Sequence, residues 1–241
     1  MKQITEGVIF VQGQDEFIPD AHLYVIGKPS SGDLSIVDAG LMGKGAYKID
    51  AIKKAGGRLS DIKRVIMTHT HLDHIGCLRE ILNDIPSAEL WVHHREGASL
   101  VKGDDRTVYG MDMFKNMCQA QYDIKPGDFT FEVHRMLEGG ETLEIGGMAW
   151  EVIHIPGHSL GSIALYNRSA KILIPGDVVY ADYAIGRHDL HGASGPQLKD
   201  SLMTLAELEV DILLPGHNRI AEDLQPGYIL KTAKQWGPYL N

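Results

Sequence analysis

The segment His69–His74 reads His-Thr-His-Leu-Asp-His and holds four side chains of types that bind metal ions. In an extended loop alternate side chains point the same way, so His69, His71 and Asp73 can face one cavity. A turn into a following helix would bring His74 beside them. This spacing differs from the His-Glu-x-x-His pattern of helical zinc sites, in which the ligands lie one turn apart. The segment therefore predicts a metal site on a loop.

Three later segments end in Pro-Gly followed by one more side chain of a metal-binding type. The final residues of these segments are His158, Asp177 and His217, and each segment begins with an apolar run of strand-like composition. Because Pro and Gly interrupt regular structure, an apolar run that ends in Pro-Gly is typical of a strand that stops at a turn. The three segments therefore predict strand ends that each present one ligand.

Together the two patterns supply more candidate ligands than one metal ion needs. A catalytic zinc site uses three protein ligands and keeps its fourth position for water. Two metal ions that share one carboxylate account for the whole set. The first ion is assigned His69, His71 and His158, the second is assigned Asp73, His74 and His217, and the bridge is Asp177.

A site of this kind would make a nucleophile at neutral pH. Two divalent ions about 3.5–4 Å apart lower the pKa of a bridging water to about 7, and the resulting hydroxide can attack a carbonyl group that the ions polarise. Asp73 is also a candidate shuttle for the proton that the leaving group needs. Histidine and carboxylate ligands suit zinc, iron and manganese alike. We expect two divalent ions, zinc first, with iron or manganese as alternatives.

The elements that must position these ligands alternate between strands and helices. In the first half, strands are predicted over 3–11, 21–27, 34–38, 63–68 and 89–93, and helices over 44–55 and 75–82. In the second half, strands are predicted over 129–136, 141–145, 148–155, 163–166, 171–174 and 211–214, with a helix over 197–209 and another near the C-terminus. Each half therefore runs through strands, helix, strand and helix.

This order predicts an α/β fold in which two mixed sheets pack face to face with helices on the outer faces. We expect one domain over 1–241, interrupted by a mostly polar insertion over about 95–126 that could form a lid. All candidate ligands follow predicted strands, which would gather them along one edge of the sandwich.

The composition limits the classes of partner. The chain has 241 residues, a formal net charge of -9 and two cysteines without disulfide or zinc-ribbon spacing. Acidic charge disfavours phosphate backbones and anionic membrane surfaces, so we expect no nucleic-acid or membrane partner. No apolar run is long enough to span a bilayer, and the N-terminus lacks a secretory signal pattern. We expect a cytoplasmic protein that acts on a small molecule.

The ligand motifs taken together resemble those of metallo-β-lactamase-fold hydrolases, from about Ile4 to His217. The resemblance implies an αββα sandwich with a two-metal site. It also implies that Asp38, at the end of a short apolar run, is a buried residue that orients the ligand loops. The segment Gly186–Leu190 is similar to one that follows the bridging aspartate in glyoxalase II-like members.

Departures from particular subfamilies narrow the expected substrate. True β-lactamases of this fold are exported, and their best-known group carries a cysteine where this chain has Asp177. The longer glyoxalase II enzymes have a C-terminal helical domain, whereas only residues 218–241 follow the last ligand here. The long interval between His74 and His158 is similar to the layout of acyl-homoserine lactonases, which place a tyrosine near the substrate carbonyl at the position of Tyr180. The resemblance therefore implies hydrolysis of a small-molecule thioester or lactone.

Three alternatives stay open at this point. Persulfide dioxygenases of this fold bind one iron with two histidines and one aspartate, and the complete second ligand set argues against them. Phosphodiesterases and nucleases of the fold use the same metals on phosphate, and the acidic charge argues against these. A non-catalytic binding module would not need intact ligands.

Several other residues could border the pocket. His188 and His191 follow the bridging aspartate closely, so they are candidates for substrate contact. The apolar residues of the insertion predict either the buried side of a lid helix or an adaptable wall for an acyl chain. These residues are Met111, Met113, Phe114 and Met117. The remaining histidines are interpreted as structural or surface residues, namely His22, His93, His94, His134 and His154.

Overall fold

The computed structural model describes residues 1–14 and 18–241, and these residues form two β-sheets with helices around them. The first sheet has seven strands in sequence order, with the first four antiparallel and the remaining three added in parallel. These strands are β1 (Lys2–Thr5), β2 (Val8–Val11), β3 (Leu23–Ile26), β4 (Leu34–Val37), β5 (Ile62–Ile66), β6 (Glu89–His93) and β7 (Arg135–Leu137).

The second sheet has five strands. They are β8 (Thr142–Ile145), β9 (Met148–His154), β10 (Ile163–Asn167), β11 (Ile172–Ile174) and β12 (Ile212–Leu213), in the spatial order β12-β11-β10-β9-β8. The strands from β8 to β11 are antiparallel, and β12 pairs with β11 in parallel. Both sheets are therefore mixed, as the sequence predicts.

Eight α-helices accompany the sheets in the described part of the chain. They are α1 (Gly45–Lys54), α2 (Leu72–Ile75), α3 (Leu78–Asp84), α4 (His94–Lys102), α5 (Arg106–Tyr109), α6 (Asp112–Tyr122), α7 (Gly195–Ala206) and α8 (Tyr228–Trp236). None of the helices within 1–14 and 18–241 is long and apolar enough to cross a membrane.

Three apolar clusters hold these layers together. One cluster joins the two sheets, because Val8 and Ile66 of the first sheet pack with Trp150 and Leu165 of the second. A second cluster packs α1 and α3 on the outer face of the first sheet, and a third packs α7 and α8 against the second sheet. The predicted sandwich of two sheets with helices outside is confirmed.

Three predicted elements differ from the structure because of local turns and packing. The single strand predicted over 3–11 is a hairpin of β1 and β2, since Gly7 adopts a φ of 100° that reverses the chain. The helix predicted over 75–82 is two helices that break after Ile75.

The strand predicted over 129–136 is wrong for most of its length, because only Arg135–Leu137 form a strand. Phe129 and Phe131 instead pack into the cluster on the outer face of the first sheet. Apolar residues in this stretch are therefore explained by burial of two aromatic rings rather than by strand pairing.

A buried ion pair joins α1 to the loop before β3. The Lys48 ammonium lies 2.8 Å from Asp20 Oδ1, and both side chains are 0% exposed. The same carboxylate accepts hydrogen bonds from the N–H groups of Leu41 and Gln14, at 2.8 and 2.9 Å. Every charge in this network thus has a partner, as buried charges require.

Lys48→Met should destabilise the protein strongly. The substitution leaves the Asp20 carboxylate buried without its cation, which costs about 3–5 kcal/mol in other proteins. Lys171→Met is the control, because the Lys171–Glu209 pair is solvent-exposed and its loss should change stability little. Urea denaturation measures both; equal losses of unfolding free energy in the two variants would contradict the prediction.

Candidate metal centre

The loop after β5 brings the first four candidate ligands together. Strand β5 ends at Ile66, and α2 begins at Leu72. The His74 N–H donates to the His71 carbonyl at 2.9 Å, so the first helical turn carries His74 back toward the loop. The rings of His69 and His74 consequently lie 4.0 Å apart, centroid to centroid. This is the arrangement that the spacing predicts.

Three Pro-Gly turns deliver the other candidates. His158 follows β9, Asp177 follows β11 and His217 follows β12. The turn before His217 passes so close to the ligand cluster that a side chain at Gly216 would collide with Asp177 Oδ1 and the His74 ring. Glycine is needed there for the close approach of the backbone.

The first ligand group consists of His69, His71 and His158. The His158 Nε2 atom lies 2.9 Å from His71 Nδ1 and 3.2 Å from His69 Nε2. Ligand atoms at about 2.0–2.1 Å from a tetrahedral zinc ion are about 3.3 Å from one another. Both distances are close to the separation that one such ion requires, and the three nitrogens all lie within 4.8 Å of one another.

The second group consists of Asp73, His74, Asp177 and His217. The His217 Nε2 atom lies 3.0 Å from Asp73 Oδ2 and 3.4 Å from Asp177 Oδ2. The His74 Nε2 atom lies 3.2 Å from Asp177 Oδ1. Two carboxylates and two imidazoles converge here, which is a suitable donor set for a divalent cation.

Asp177 lies between the two groups. Its Oδ2 atom is 3.8 Å from His158 Nε2 of the first group, in addition to its contacts in the second. A single carboxylate thus reaches both clusters, and this geometry fits the bridging position assigned from the sequence.

Asp38 sets the orientation of two ligands from behind. It is buried and adopts a φ of 58°, which is uncommon outside glycine, asparagine and aspartate. It accepts hydrogen bonds from Thr68 N and Thr68 Oγ1, both at 2.7 Å, and from His74 Nδ1 at 2.9 Å. Because Thr68 Oγ1 donates to Asp38, it accepts from His69 Nδ1 at 3.1 Å. The Nε2 lone pairs of His69 and His74 therefore face the cluster.

Several buried polar atoms of the candidate ligands lack a hydrogen-bond partner, and they indicate whether a cation fits this site. His74 Nε2, Asp177 Oδ1 and His217 Nε2 are buried and have no hydrogen-bond partner in the described structure. His158 is oriented in the same way as His74, since its Nδ1–H donates to the Arg187 carbonyl at 2.8 Å. Leaving several such atoms unsatisfied costs about 1–3 kcal/mol each. The donor types and their convergence fit a pair of divalent cations, which would satisfy them.

Burial and charge shift the pKa values of the ligands in opposite directions. Burial lowers the pKa of His71 to about 3 and holds that of His69 well below its usual value. Burial also favours neutral His74, but the Asp177 and Asp38 carboxylates outweigh it and raise the pKa of His74. The first group is therefore neutral and ready to donate lone pairs at neutral pH.

The ligand groups open into a cavity of about 510 Å³. Tyr180 lies on its wall and is buried to 8% exposure. Burial, together with the charge of Asp177, raises the pKa of Tyr180 well above its usual value, so its hydroxyl keeps its proton. His188 and His191, expected as possible neighbours of the substrate, do not line this cavity, whereas Arg187 does.

The rest of the wall is mostly apolar. Of the four apolar residues considered in the insertion, Phe114 lines the cavity and Met113 is 73% exposed. The other apolar lining residues include Ile18, Leu72, Val108, Ile185 and Leu190.

Glu96 is a residue of the site that the sequence did not reveal. Its Oε2 atom accepts hydrogen bonds from Thr70 N at 2.8 Å and Thr70 Oγ1 at 3.0 Å, and its Oε1 atom accepts from Gly161 N at 2.9 Å. This buried carboxylate therefore ties the His69–His74 loop to the loop after His158. It stands within the stretch predicted as a lid, where no local pattern marks it.

A model of the metallo-beta-lactamase superfamily matches residues 20–217, which include all the candidate ligands. The chain belongs to the metallo-beta-lactamase superfamily. The probable metallo-hydrolase YflN of Bacillus subtilis (strain 168) is 29% identical over 216 residues, covering 82% of this chain and 80% of the relative. The acyl-coenzyme A thioesterase MBLAC2 of Gallus gallus is 29% identical over 235 residues, covering 90% and 79%.

Solved structures share the fold of this chain. The BLEG-1 B3 metallo-beta-lactamase has a TM-score of 0.70 and 25% identity, covering 88% of this chain and 93% of that one. A di-iron-bound form of TTHA1623 has a TM-score of 0.67 and 22% identity, with the same coverage. With its cluster of histidine and aspartate ligands, the chain is a metal-dependent hydrolase of this superfamily.

The metal-free protein should lose stability as the pH falls from 7 to 5. Burial lowers the pKa of His71 to about 3 and of His22 and His93 to about 4. These side chains stay neutral in the folded protein but take up protons near pH 6.5 when unfolded, so the unfolded state binds more protons below that pH. Each such histidine removes stability with a slope that rises toward about 1.4 kcal/mol per pH unit below pH 6.5.

Two histidines oppose this loss. Carboxylates outweigh burial and raise the pKa of His74 and His217, so their contribution is fully present below pH 6.5 and is lost only as the pH rises through the raised values. More histidines have a lowered pKa than a raised pKa, because burial also lowers the pKa of His69 and His158. Urea denaturation in the presence of a chelator at pH 7, 6 and 5 measures the net effect; an unchanged or rising unfolding free energy would refute it.

Proposed function

We propose that this chain uses two divalent metal ions, zinc first, to hydrolyse a small-molecule acyl thioester. The observation that carries the proposal is the pair of ligand groups sharing Asp177 at the wall of a mostly apolar cavity. Bound ions would supply a water of lowered pKa and polarise the scissile carbonyl. Water then adds across the carbonyl–sulfur bond to give an acid and a thiol.

The protein's own residues prepare this reaction. The first group of ligands, His69, His71 and His158, is neutral at pH 7 and presents its lone pairs to one point. Burial raises the pKa of Asp73, but the neighbouring His217 and His74 imidazoles outweigh burial and lower this pKa to about 2, so Asp73 keeps its charge. It is thus placed to hold one ion and to pass a proton toward the leaving group.

The shape of the cavity supports an acyl substrate. A wall that combines aliphatic residues with Phe114 and Tyr109 can bury a hydrocarbon chain, and about 0.8 kcal/mol per buried CH₂ group favours its binding. The similarity to MBLAC2, which is named an acyl-coenzyme A thioesterase, points to the same class of bond.

A lactone is the second candidate substrate, and Tyr180 is the observation that favours it. Its protonated hydroxyl lies on the cavity wall beside Asp177. Opening a lactone releases an alkoxide, which is a far stronger base than the thiolate released from a thioester. A nearby proton donor therefore assists lactone opening more than thioester hydrolysis.

Tyr180→Phe separates the two candidates. If lactones are the substrate, loss of the hydroxyl should reduce kcat for lactone opening by about tenfold or more, whereas thioester turnover should change by less than about threefold. The measurement is kcat/KM of wild type and variant on acyl thioesters of increasing chain length, on acyl lactones and on a phosphodiester. Acyl-thioester turnover that exceeds the other classes supports the proposal, and turnover confined to the phosphodiester contradicts it.

A further inference from the structure

The segment Asp20–His22 contacts the loops of two candidate ligands in the second group. The Ala21 N–H donates to the Asp73 carbonyl at 3.1 Å, and the His22 N–H donates to the Gly216 carbonyl at 2.7 Å. One short stretch of backbone before β3 thus holds the loop of Asp73 and the loop of His217 together.

The side chain of His22 adds a second attachment to the His217 loop. Its Nδ1 atom accepts a hydrogen bond from Gly13 N at 2.9 Å, which leaves Nε2 to carry the hydrogen. Nε2–H donates to the Asn218 carbonyl at 2.7 Å. His22 therefore holds the chain on both sides of His217, at Gly216 through its backbone and at Asn218 through its ring.

The structure around His22 is restrained. Asn218 adopts a left-handed φ of 65°, a conformation that costs free energy in a residue with a side chain and that a bond to its carbonyl helps to hold. His22 is 4% exposed, its ring packs edge-on against Phe10 at 4.9 Å between centroids, and its ring lies 6.5 Å from that of His217. Both ring nitrogens of His22 are already hydrogen-bonded, so the imidazole has no free lone pair for an ion.

The Lys48–Asp20 ion pair fixes this segment from the other side. Lys48 Nζ donates to the Ala21 carbonyl at 2.5 Å as well as contacting Asp20. A side chain at Gly40, which has a φ of 96°, would collide with Lys48 Nζ and Asp20 Oδ1. The N–H of Gly40 in turn donates to the His74 carbonyl at 2.6 Å. The buried pair is thus connected to the backbone of Asp73 through Ala21. It is connected to the backbone of His74 through Gly40–Leu41, since Leu41 N donates to Asp20 Oδ1 at 2.8 Å.

We infer that His22 is a positioning residue for the second metal ion, acting through the His217 loop from a segment that the Lys48–Asp20 pair anchors. This inference rests on the two-metal centre proposed above. It assigns a role to a histidine that the sequence suggests is merely structural. Loss of the bond to Asn218 should weaken binding of the second ion selectively. None of the bonds described joins this segment to the first group, which consists of His69, His71 and His158.

Two substitutions separate the roles of the two ring nitrogens. In His22→Asn the amide oxygen can reach the Nδ1 position and keep the bond from Gly13, but no donor reaches Asn218. In His22→Gln the amide nitrogen can reach the Nε2 position and keep the bond to Asn218. The two variants are similar in polarity, so they are matched controls for each other.

The experiment is a zinc titration of the metal-free wild type and both variants against a competing chromophoric chelator, with thermal unfolding of the metal-free proteins beside it. For His22→Asn we expect the second ion to bind about tenfold or more weakly and the first ion to change by less than about threefold. For His22→Gln we expect second-ion affinity within about threefold of wild type. Metal-free Tm values of the two variants should agree within about 3 °C.

Other outcomes overturn the inference. Wild-type affinity of both variants for both ions would show that the Asn218 bond does not position the ligand. If His22→Asn binds both ions more weakly by the same factor, and its metal-free Tm falls by a large amount, His22 has a structural role only. If the wild type binds fewer than two ions, the two-metal centre itself fails, and the inference fails with it; two ions in the wild type with unaffected variants leave the centre standing.

Discussion

Asp177→Asn is expected to reduce metal binding from two ions to one or none and to lower kcat/KM by more than about 100-fold. Removing a residue that contacts a metal ligand typically lowers metal affinity or activity 10- to 100-fold. Removing the shared carboxylate itself should therefore lower both further. The asparagine side chain has nearly the same shape, which makes the charge and the second acceptor oxygen the only features lost.

The contacts of Asp177 explain the size of this effect. Both carboxylate oxygens face ligand nitrogens, with Oδ1 3.2 Å from His74 Nε2 and Oδ2 3.4 Å from His217 Nε2. An amide NH₂ group in either place would point a positive dipole at a cation. The expected loss is therefore of metal occupancy first and of activity as its consequence.

Asp182→Asn is the matched control, because this exposed aspartate lies five residues along the same loop and, in the described part of the chain, its carboxylate accepts a hydrogen bond from Ala184 N and contacts no candidate ligand. Its metal content and kcat/KM should equal those of the wild type. Elemental analysis and steady-state kinetics measure both variants. Two ions and near-normal turnover in Asp177→Asn would show that the carboxylate is not shared between ions.

Asp38→Asn is expected to weaken metal affinity by about 10- to 100-fold. Asparagine tolerates the left-handed backbone of this position, so the fold should persist. The amide has one acceptor atom, whereas Asp38 uses both oxygens: Oδ1 accepts from Thr68 N, and Oδ2 accepts from Thr68 Oγ1 and His74 Nδ1. With its oxygen at the Oδ1 position, asparagine would turn its NH₂ group toward Thr68 Oγ1 and His74 Nδ1.

Asp38→Asn should disturb the orientation of two candidate ligands, His69 and His74, at the same time. Without its acceptor, Thr68 Oγ1 no longer has a fixed orientation toward His69 Nδ1, and His74 can adopt the other tautomer, which turns a hydrogen toward the metal. A chelator competition assay on the metal-loaded protein measures the change in affinity, and kcat/KM at saturating zinc should recover toward the wild-type value.

Asp123→Asn is the control for the backbone effect, since Asp123 also has a left-handed φ, of 50°, but its side chain is 90% exposed. It should bind metal as the wild type does. If Asp38→Asn also retains full affinity, the orienting role of this carboxylate is wrong.

The grouping of the ligands could be predicted from the sequence because it depends on local rules. Alternate positions of a loop share a side, and a helical turn starting after His71 returns His74 to the same place. Pro-Gly after an apolar run marks where β9, β11 and β12 stop, so His158, Asp177 and His217 follow strand ends as expected.

The residues that hold these loops could not be predicted in the same way. Glu96 joins Thr70 to Gly161, and Asp20 joins Lys48 to Leu41. Each contact crosses between segments far apart in the chain. No periodicity in the sequence specifies which distant backbone N–H group a buried carboxylate will meet, so such residues emerge only when the two sheets and their helices are packed.

The errors in the fold have a similar origin. The apolar residues Phe129 and Phe131 satisfy the composition of a strand, yet the first sheet gains only Arg135–Leu137 from that region. Burial against helices of the insertion uses the same apolar residues that a strand would use. Local composition does not distinguish these two ways of removing an aromatic ring from water.

The central claim is tested most directly by measuring metal content and acyl-thioester hydrolysis on one purified sample. Elemental analysis should give about two divalent ions per chain, and hydrolysis should disappear on chelation and return when two equivalents of zinc are added. One ion per chain in a sample that hydrolyses neither thioesters nor lactones would contradict the account.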